Sequence, residues 1–176
     1  MSDSDKDKAW PEVERRKAPD RRRRERRSGE RRNEAAWIPV PLDGPASHEP
    51  ALLDAARHAR LRAHADYSGF KVGAALELAD GSIATGCNIE NATYGLTLCA
   101  ERVALVKALS DGHTKFTRIA VAADTGKPTA PCGPCRQLLW EYCGDIEVIL
   151  SNLDGPTARL RLADLLPMPF DDRLLK

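Results

Sequence analysis

Residues 99–150 read CAERVALVKALSDGHTKFTRIAVAADTGKPTAPCGPCRQLLWEYCGDIEVIL, and the order of elements in this stretch decides the architecture. Cys99–Leu109 predicts a helix, with Val103, Val106 and Leu109 supplying an apolar stripe. Arg118–Ala123 reads as a short apolar strand. Cys135–Cys143 reads as a second helix entered from a Pro/Gly turn, and Ile146–Leu150 as another buried strand. Helices alternating with strands specify a layered α/β domain.

Working outward, Ala51–Ala65 is rich in helix formers, and Pro50 suits a first helical turn. Lys71–Leu78 and Ser82–Ile89 read as two strands joined by a hairpin at Asp80-Gly81. Ala163–Leu166 is expected to form a short terminal helix, and no internal repeat stands out. These elements place one domain over residues 48–176. Residues 35–47 (AAWIPVPLDGPAS) contain three prolines and read as a linker. Residues 1–34 have almost no apolar side chains and are expected to be a disordered, Arg-rich arm, because they bury too little surface to offset chain entropy.

Charge follows the same division. Residues 1–34 hold thirteen Lys or Arg against nine Asp or Glu, a balance of +4. The remaining 14 basic and 17 acidic residues give 35–176 a balance of −3, which offers no support for nucleic-acid binding by the domain itself. Arginine clusters in the arm attract phosphates, but interspersed Asp and Glu weaken that field, so a nucleic-acid partner is left open and unsupported. No apolar run approaches the roughly 18 residues needed to span a bilayer. No basic-then-apolar leader opens the chain, and a cytoplasmic setting is expected.

Five cysteines, an odd number in a chain expected in the cytosol, argue for metal binding or redox chemistry over disulfides. Cys99, Cys132 and Cys135 supply the three ligands that a catalytic zinc needs while one position stays open to water. The C-G-P-C turn alone also fits a dithiol redox pair, and Cys87 or Cys143 would turn the trio into a closed structural site. Glu101 separates these readings. Two residues beyond Cys99, it can stand beside the metal as a proton carrier, a role that the redox and structural readings leave without a use. Three thiolates also carry an excess of negative charge, so Arg102 and Arg136 are expected beside the sulfurs. Cys87 is expected to pack in the core and Cys143 to be a buried or helix-end thiol. His48, His58, His64 and His113 show no ligand spacing with the cysteines.

The segments YSGFKVGAA (67–75), GCNIENA (86–92, with Tyr94 beyond), CAERVA (99–104), PCGPCRQ (131–137, followed by Glu141) and LLPMPF (165–170) together closely resemble the small, homotetrameric class of cytidine deaminases. Their ligand set and glutamate are those of the zinc deaminases. The resemblance spans about residues 50–170 and implies a three-layer α/β/α sandwich around a mixed five-stranded sheet. It implies one zinc ion per chain and hydrolytic deamination of cytidine and deoxycytidine, as in pyrimidine salvage. The nucleophile would be zinc-bound hydroxide, with Glu101 as proton shuttle. Asn88, Ile89 and Glu90 look like the ribose-binding segment, Phe70 like the aromatic wall against the pyrimidine, and Phe170 like an aromatic contributed across a subunit interface. A homotetramer is implied with them. Two departures stand out. Pro134 occupies a position where the family commonly has Ala, and the N-terminal arm has no counterpart. The rival expectation is a nucleic-acid-associated protein, binding or editing RNA through that arm.

Overall fold

The computed structural model describes residues 49–153 and 157–175. The expected arm, the linker and His48 lie outside the described residues. Helix α1 (Glu49–Arg60) leads to the hairpin β1 (Val72–Leu78) and β2 (Ile83–Cys87). A 3-10 turn (Tyr94–Leu96) precedes α2 (Ala100–Ser110), followed by β3 (Phe116–Ala123), α3 (Gly133–Cys143) and β4 (Glu147–Ser151). Then come β5 (Thr157–Arg161), the single turn α4 (Leu162–Leu165) and a 3-10 turn at Asp172–Leu174.

The strands form one mixed sheet in the order β2-β1-β3-β4-β5. Only β3 and β4 pair in parallel. A parallel pair needs a crossover, and α3 provides it. Strand alternation sends Ala74 and Leu76 of β1 and Ile119 and Val121 of β3 to one face, where they pack with Ala104 and Leu105 of α2 and Leu139 of α3. Ala75, Ala120, Ala122 and Ile149 point to the other face, under Leu52, Leu53 and Ala56 of α1. The result is the expected α/β/α sandwich. Among the described residues no helix is long and apolar enough to cross a membrane.

Small residues set the layer spacing where α2 meets β2. A Cβ on Gly86 would lie 2.4 Å from both Ala100 O and Ala104 N, so the first turn of α2 rests on bare strand backbone. That contact brings the start of α2, and with it Cys99, down onto the sheet. The face towards α1 has one helix for five strands, and towards its far side it carries paired charge in place of apolar side chains. Arg118 holds Glu77 through two bonds of 2.6 and 2.9 Å, and Arg159 pairs with Glu49 and Glu147.

Candidate active site

Cys99 and Cys132 occupy equivalent places, each the residue immediately before a helix, at α2 and α3. Such positions usually carry Ser, Thr, Asp or Asn to bond the first N–H groups. Here neither cysteine makes a side-chain capping bond, which leaves both sulfurs for another partner beside the positive ends of two helix dipoles. Cys135, in the first turn of α3, is fully buried. The Sγ of Cys132 lies 3.8 Å from that of Cys99 and 3.3 Å from that of Cys135, and all three sulfurs fall within 4.8 Å of one another. Sulfurs bound to tetrahedral zinc at ~2.3 Å sit roughly 3.8 Å apart, so the trio fits that ion closely. Among the described residues no other group of three His, Cys, Asp or Glu side chains is placed to hold a metal.

The thiols divide their protons unequally. The Cys135 thiol bonds towards Cys99 and, with Arg102, draws Cys99 down to about 5, while the same bond and burial push Cys135 upward. Glu101, 5% exposed, is pushed up to about 7, chiefly by burial. Its carboxyl sits beside the sulfurs, and the negative charge of Cys99 adds to the upward shift.

The two arginines expected beside the sulfurs behave differently. Arg102 Nη2 donates to Cys99 Sγ at 3.4 Å and to Thr97 O at 3.3 Å. Its buried Nε finds no hydrogen-bond partner among the described residues. Arg136 does not reach a sulfur. Its Nε donates to Pro131 O at 2.6 Å and its Nη1 to Leu165 O at 2.9 Å, so it ties the turn before Cys132 to the C-terminal segment. Helical geometry explains the difference: residues three apart share a face, as Cys99 and Arg102 do, whereas neighbours such as Cys135 and Arg136 diverge by about 100°.

Cys99, Glu101 and Cys132 line a cavity of about 240 Å³. Phe70, Val72, Leu98 and Val121 give it apolar walls, and Asn88 and Glu90 add a second polar group to its lining. Asn88, 7% exposed, accepts a bond from Val72 N and donates one to Phe70 O, each at 2.8 Å. Glu90 Oε2 accepts from Tyr67 N at 2.8 Å and Ser68 N at 3.0 Å, and its Oε1 accepts from Ser68 Oγ. Ser68 Oγ in turn accepts from Phe70 N at 2.9 Å.

Two residues of the expected substrate set lie outside this chain's own lining. Side chains alternate along extended chain, so Asn88 and Glu90 face the cavity while Ile89 between them turns away. Ile89 contributes backbone instead, bridging to His64 and Leu98. Phe170, expected to act across a subunit interface, is 59% exposed and outside this chain's own lining, and its backbone is pinned at both N and O by the Gln137 amide. Cys87, expected in the core, is half-buried, with Sγ directed at Arg62 O. Cys143 is half-buried at the end of α3, and desolvation pushes its thiol up to about 12. Thr97, Thr129 and Ala130 also line the cavity and escaped the sequence reading. The adjacency of Thr129-Ala130 to P-C-G-P-C and of Thr97 to C-A-E was the available signal.

Known proteins resemble this chain in sequence and fold. The family profile described as "Cytidine and deoxycytidylate deaminase zinc-binding region" matches residues 46–151. A cytidine deaminase of Halalkalibacterium halodurans is 51% identical over 120 residues, spanning 68% of this chain and 91% of its own length. One from Sporosarcina psychrophila is 49% identical over 120 residues, spanning 68% and 88%. The crystal structure of a Burkholderia pseudomallei cytidine deaminase superposes with a TM-score of 0.68 at 49% identity, over 69% of this chain and 98% of that one.

Proposed function

This chain belongs to the zinc-binding cytidine and deoxycytidylate deaminase family, and from that premise we propose that it hydrolyses cytidine and deoxycytidine to the uracil nucleosides and ammonia within the 240 Å³ cavity. The observation that carries the proposal is the convergence of Cys99, Cys132, Cys135 and the buried Glu101 at the same cavity that Asn88 and Glu90 line.

Cys99, Cys132 and Cys135 hold the zinc. Bound there, zinc supplies the Lewis acidity that makes water acidic enough to act as a nucleophile near neutral pH. Glu101 carries the protons. Its carboxylate accepts one from the attacking water and delivers it to N3 of the cytosine ring as C4 is attacked. It then takes the proton of the new C4 hydroxyl and passes it to the 4-amino group, which leaves as ammonia as the C4 carbonyl forms. One carboxyl can serve in both directions, as general acid–base catalysis permits. Arg102 stabilises the anionic sulfur of Cys99. Phe70, Val72 and Val121 exclude water around the ring. Asn88 and Glu90 recognise the sugar: an amide and a carboxylate together donate to and accept from a hydroxyl. Neither role requires the 2′-hydroxyl specifically, which is why both ribo- and deoxyribonucleosides are proposed.

A homotetramer completes the proposal. Tyr94, Leu96, Leu98 and Phe170 leave apolar side chains exposed that neighbouring subunits would cover. Three thiols in use as ligands also suit a reducing cytoplasm.

The test is an ultraviolet assay with cytidine, deoxycytidine and free cytosine, run beside metal analysis on the wild type and Glu101→Gln. Both nucleosides should be consumed and the free base left. The variant should keep about one zinc per chain while turnover falls roughly 10²–10⁴-fold or more. Loss of zinc with turnover retained would overturn the roles given to the glutamate and the cysteines.

A further inference from the structure

We propose that Arg60 is a positioning residue of the nucleoside pocket, a staple across the two strand ends that border it. The inference rests on the reading of the cavity as the cytidine site.

Strands β1 and β3 pair antiparallel, and their outermost rung joins Val72 to Ala123. The next residues outward are Lys71 and Asp124, and there the strands part. On one side the chain runs to Phe70, which with Val72 lines the cavity. On the other it runs from Asp124 through Thr129 and Ala130, also in the lining, to Cys132. The Arg60 guanidinium stands across this fork. Its Nε donates to Lys71 O at 3.2 Å and its Nη2 pairs with Asp124 Oδ2 at 3.3 Å. The Arg60 side chain is only 12% exposed, although Asp124 is 68% exposed. A planar fork with donors at fixed angles can hold a carbonyl and a carboxylate at once, which a lysine cannot reproduce.

The reach of Arg60 is set by the backbone. A Cβ on Gly73 would lie 2.0 Å from Ala56 O and 2.4 Å from Arg60 N. The last turn of α1 therefore rests directly on β1, one residue inside the final rung. Helix position, strand end and guanidinium form one unit, and Arg60 acts on the pocket through Lys71 and Asp124 without lining it.

This placement predicts which kinetic constant responds. The Cys132 turn has its own anchor in Arg136, which holds Pro131 O at 2.6 Å, and Cys99 and Glu101 belong to the start of α2. Loosening the fork should disturb the walls and leave the zinc cluster in place.

The experiment uses full-length, zinc-loaded enzyme with Arg60→Gln, Arg60→Lys and Asp124→Asn. Arg60→Gln should raise KM for cytidine roughly tenfold, as expected for a lost hydrogen bond to a charged group. Asp124→Asn should raise it several-fold, kcat should stay within about threefold, and zinc content should not change. Arg60→Lys, able to satisfy one of the two partners, should recover part of the loss. In all three variants, without nucleoside, backbone amides in 70–72 and 124–130 should exchange hydrogen faster than in the wild type. Unchanged KM and unchanged exchange in both Arg60→Gln and Asp124→Asn would overturn the staple, as would a fall in kcat at constant KM. Should Arg60→Gln fail to fold, Asp124→Asn, altered at an exposed side chain, decides alone. A wild type that leaves cytidine intact would overturn the assigned function instead, and the exchange data would still decide on the staple.

Discussion

Two polar groups line the same cavity and are built by opposite means. The sulfur cluster consists of side chains set on two helix starts, Cys99 before α2 and Cys132 and Cys135 around the start of α3. The Asn88–Glu90 pair belongs to irregular extended chain, and its side chains are largely occupied in holding backbone: Val72 N and Phe70 O for Asn88, Tyr67 N and Ser68 N for Glu90. The lesson is a division of labour. Metal chemistry needs particular atoms at fixed separations, which helix starts provide. Sugar recognition needs a wall shaped around it, and the same amide and carboxylate that are proposed to meet the sugar also shape that wall.

The comparison breaks most visibly at a ligand. Cys135→Ala removes the fully buried sulfur and leaves two, one short of a catalytic set. Zinc per chain should drop to near zero, and deamination should disappear with it. Retained zinc, read by metal analysis after exhaustive dialysis, would show that the trio is not the binding set. Arg102→Gln should be milder. It keeps all three sulfurs and deletes the cation bonded to Cys99 Sγ. Loss of such a partner to a ligand typically costs about 10–100-fold in metal affinity or activity. That loss should appear in zinc retention and kcat, with KM little altered. A change confined to KM would move Arg102 from the metal to the pocket wall.

The same division governs what could be read in advance. The ligands and Glu101 were legible from spacing, because C-A-E and P-C-G-P-C fix side-chain atoms relative to local helices. Arg102 was legible from the negative charge of the thiolates, and its place three residues along from Cys99 is what brings it to the sulfur. Arg136 was not, since adjacency in sequence carried more weight than the turn angle of a helix. The sheet was read as four strands from patterning, and resemblance alone supplied the fifth. That strand, T-A-R-L-R, buries only Ala158 and Leu160 and sends Arg159 to pair with Glu49 and Glu147, so its apolar signal is weak. Asn88, Glu90 and Phe70 also came from resemblance. Ile89, grouped with them by resemblance, is outside the lining and contributes backbone bridges to His64 and Leu98. Arg60 had no sequence signal, because it acts on a carbonyl 11 residues and a carboxylate 64 residues distant, and Ser68 lies in the YSGFKVGAA segment with a partner, Glu90, 22 residues away.

Ser68 offers the smallest effect and the sharpest separation of the two groups. Its hydroxyl donates to Glu90 Oε1 and accepts from Phe70 N, so one oxygen joins the proposed sugar contact to the aromatic wall. Ser68→Ala deletes both bonds, but Glu90 keeps the Tyr67 and Ser68 amides, and Phe70 O keeps the Asn88 amide. The turn should therefore persist with looser placement of Phe70. A hydrogen bond at an exposed site contributes about 1 kcal/mol, which corresponds to a roughly fivefold rise in KM for cytidine. Zinc content should be untouched, because no bond of Ser68 leads to a sulfur, and kcat should stay close to the wild type. Ser68→Thr, which keeps the hydroxyl, should recover most of the affinity if the oxygen and not the space it fills is what matters. A Ser68→Ala enzyme with reduced zinc or reduced kcat would show that the two parts of the lining are mechanically one, and the division of labour drawn from their construction would fall.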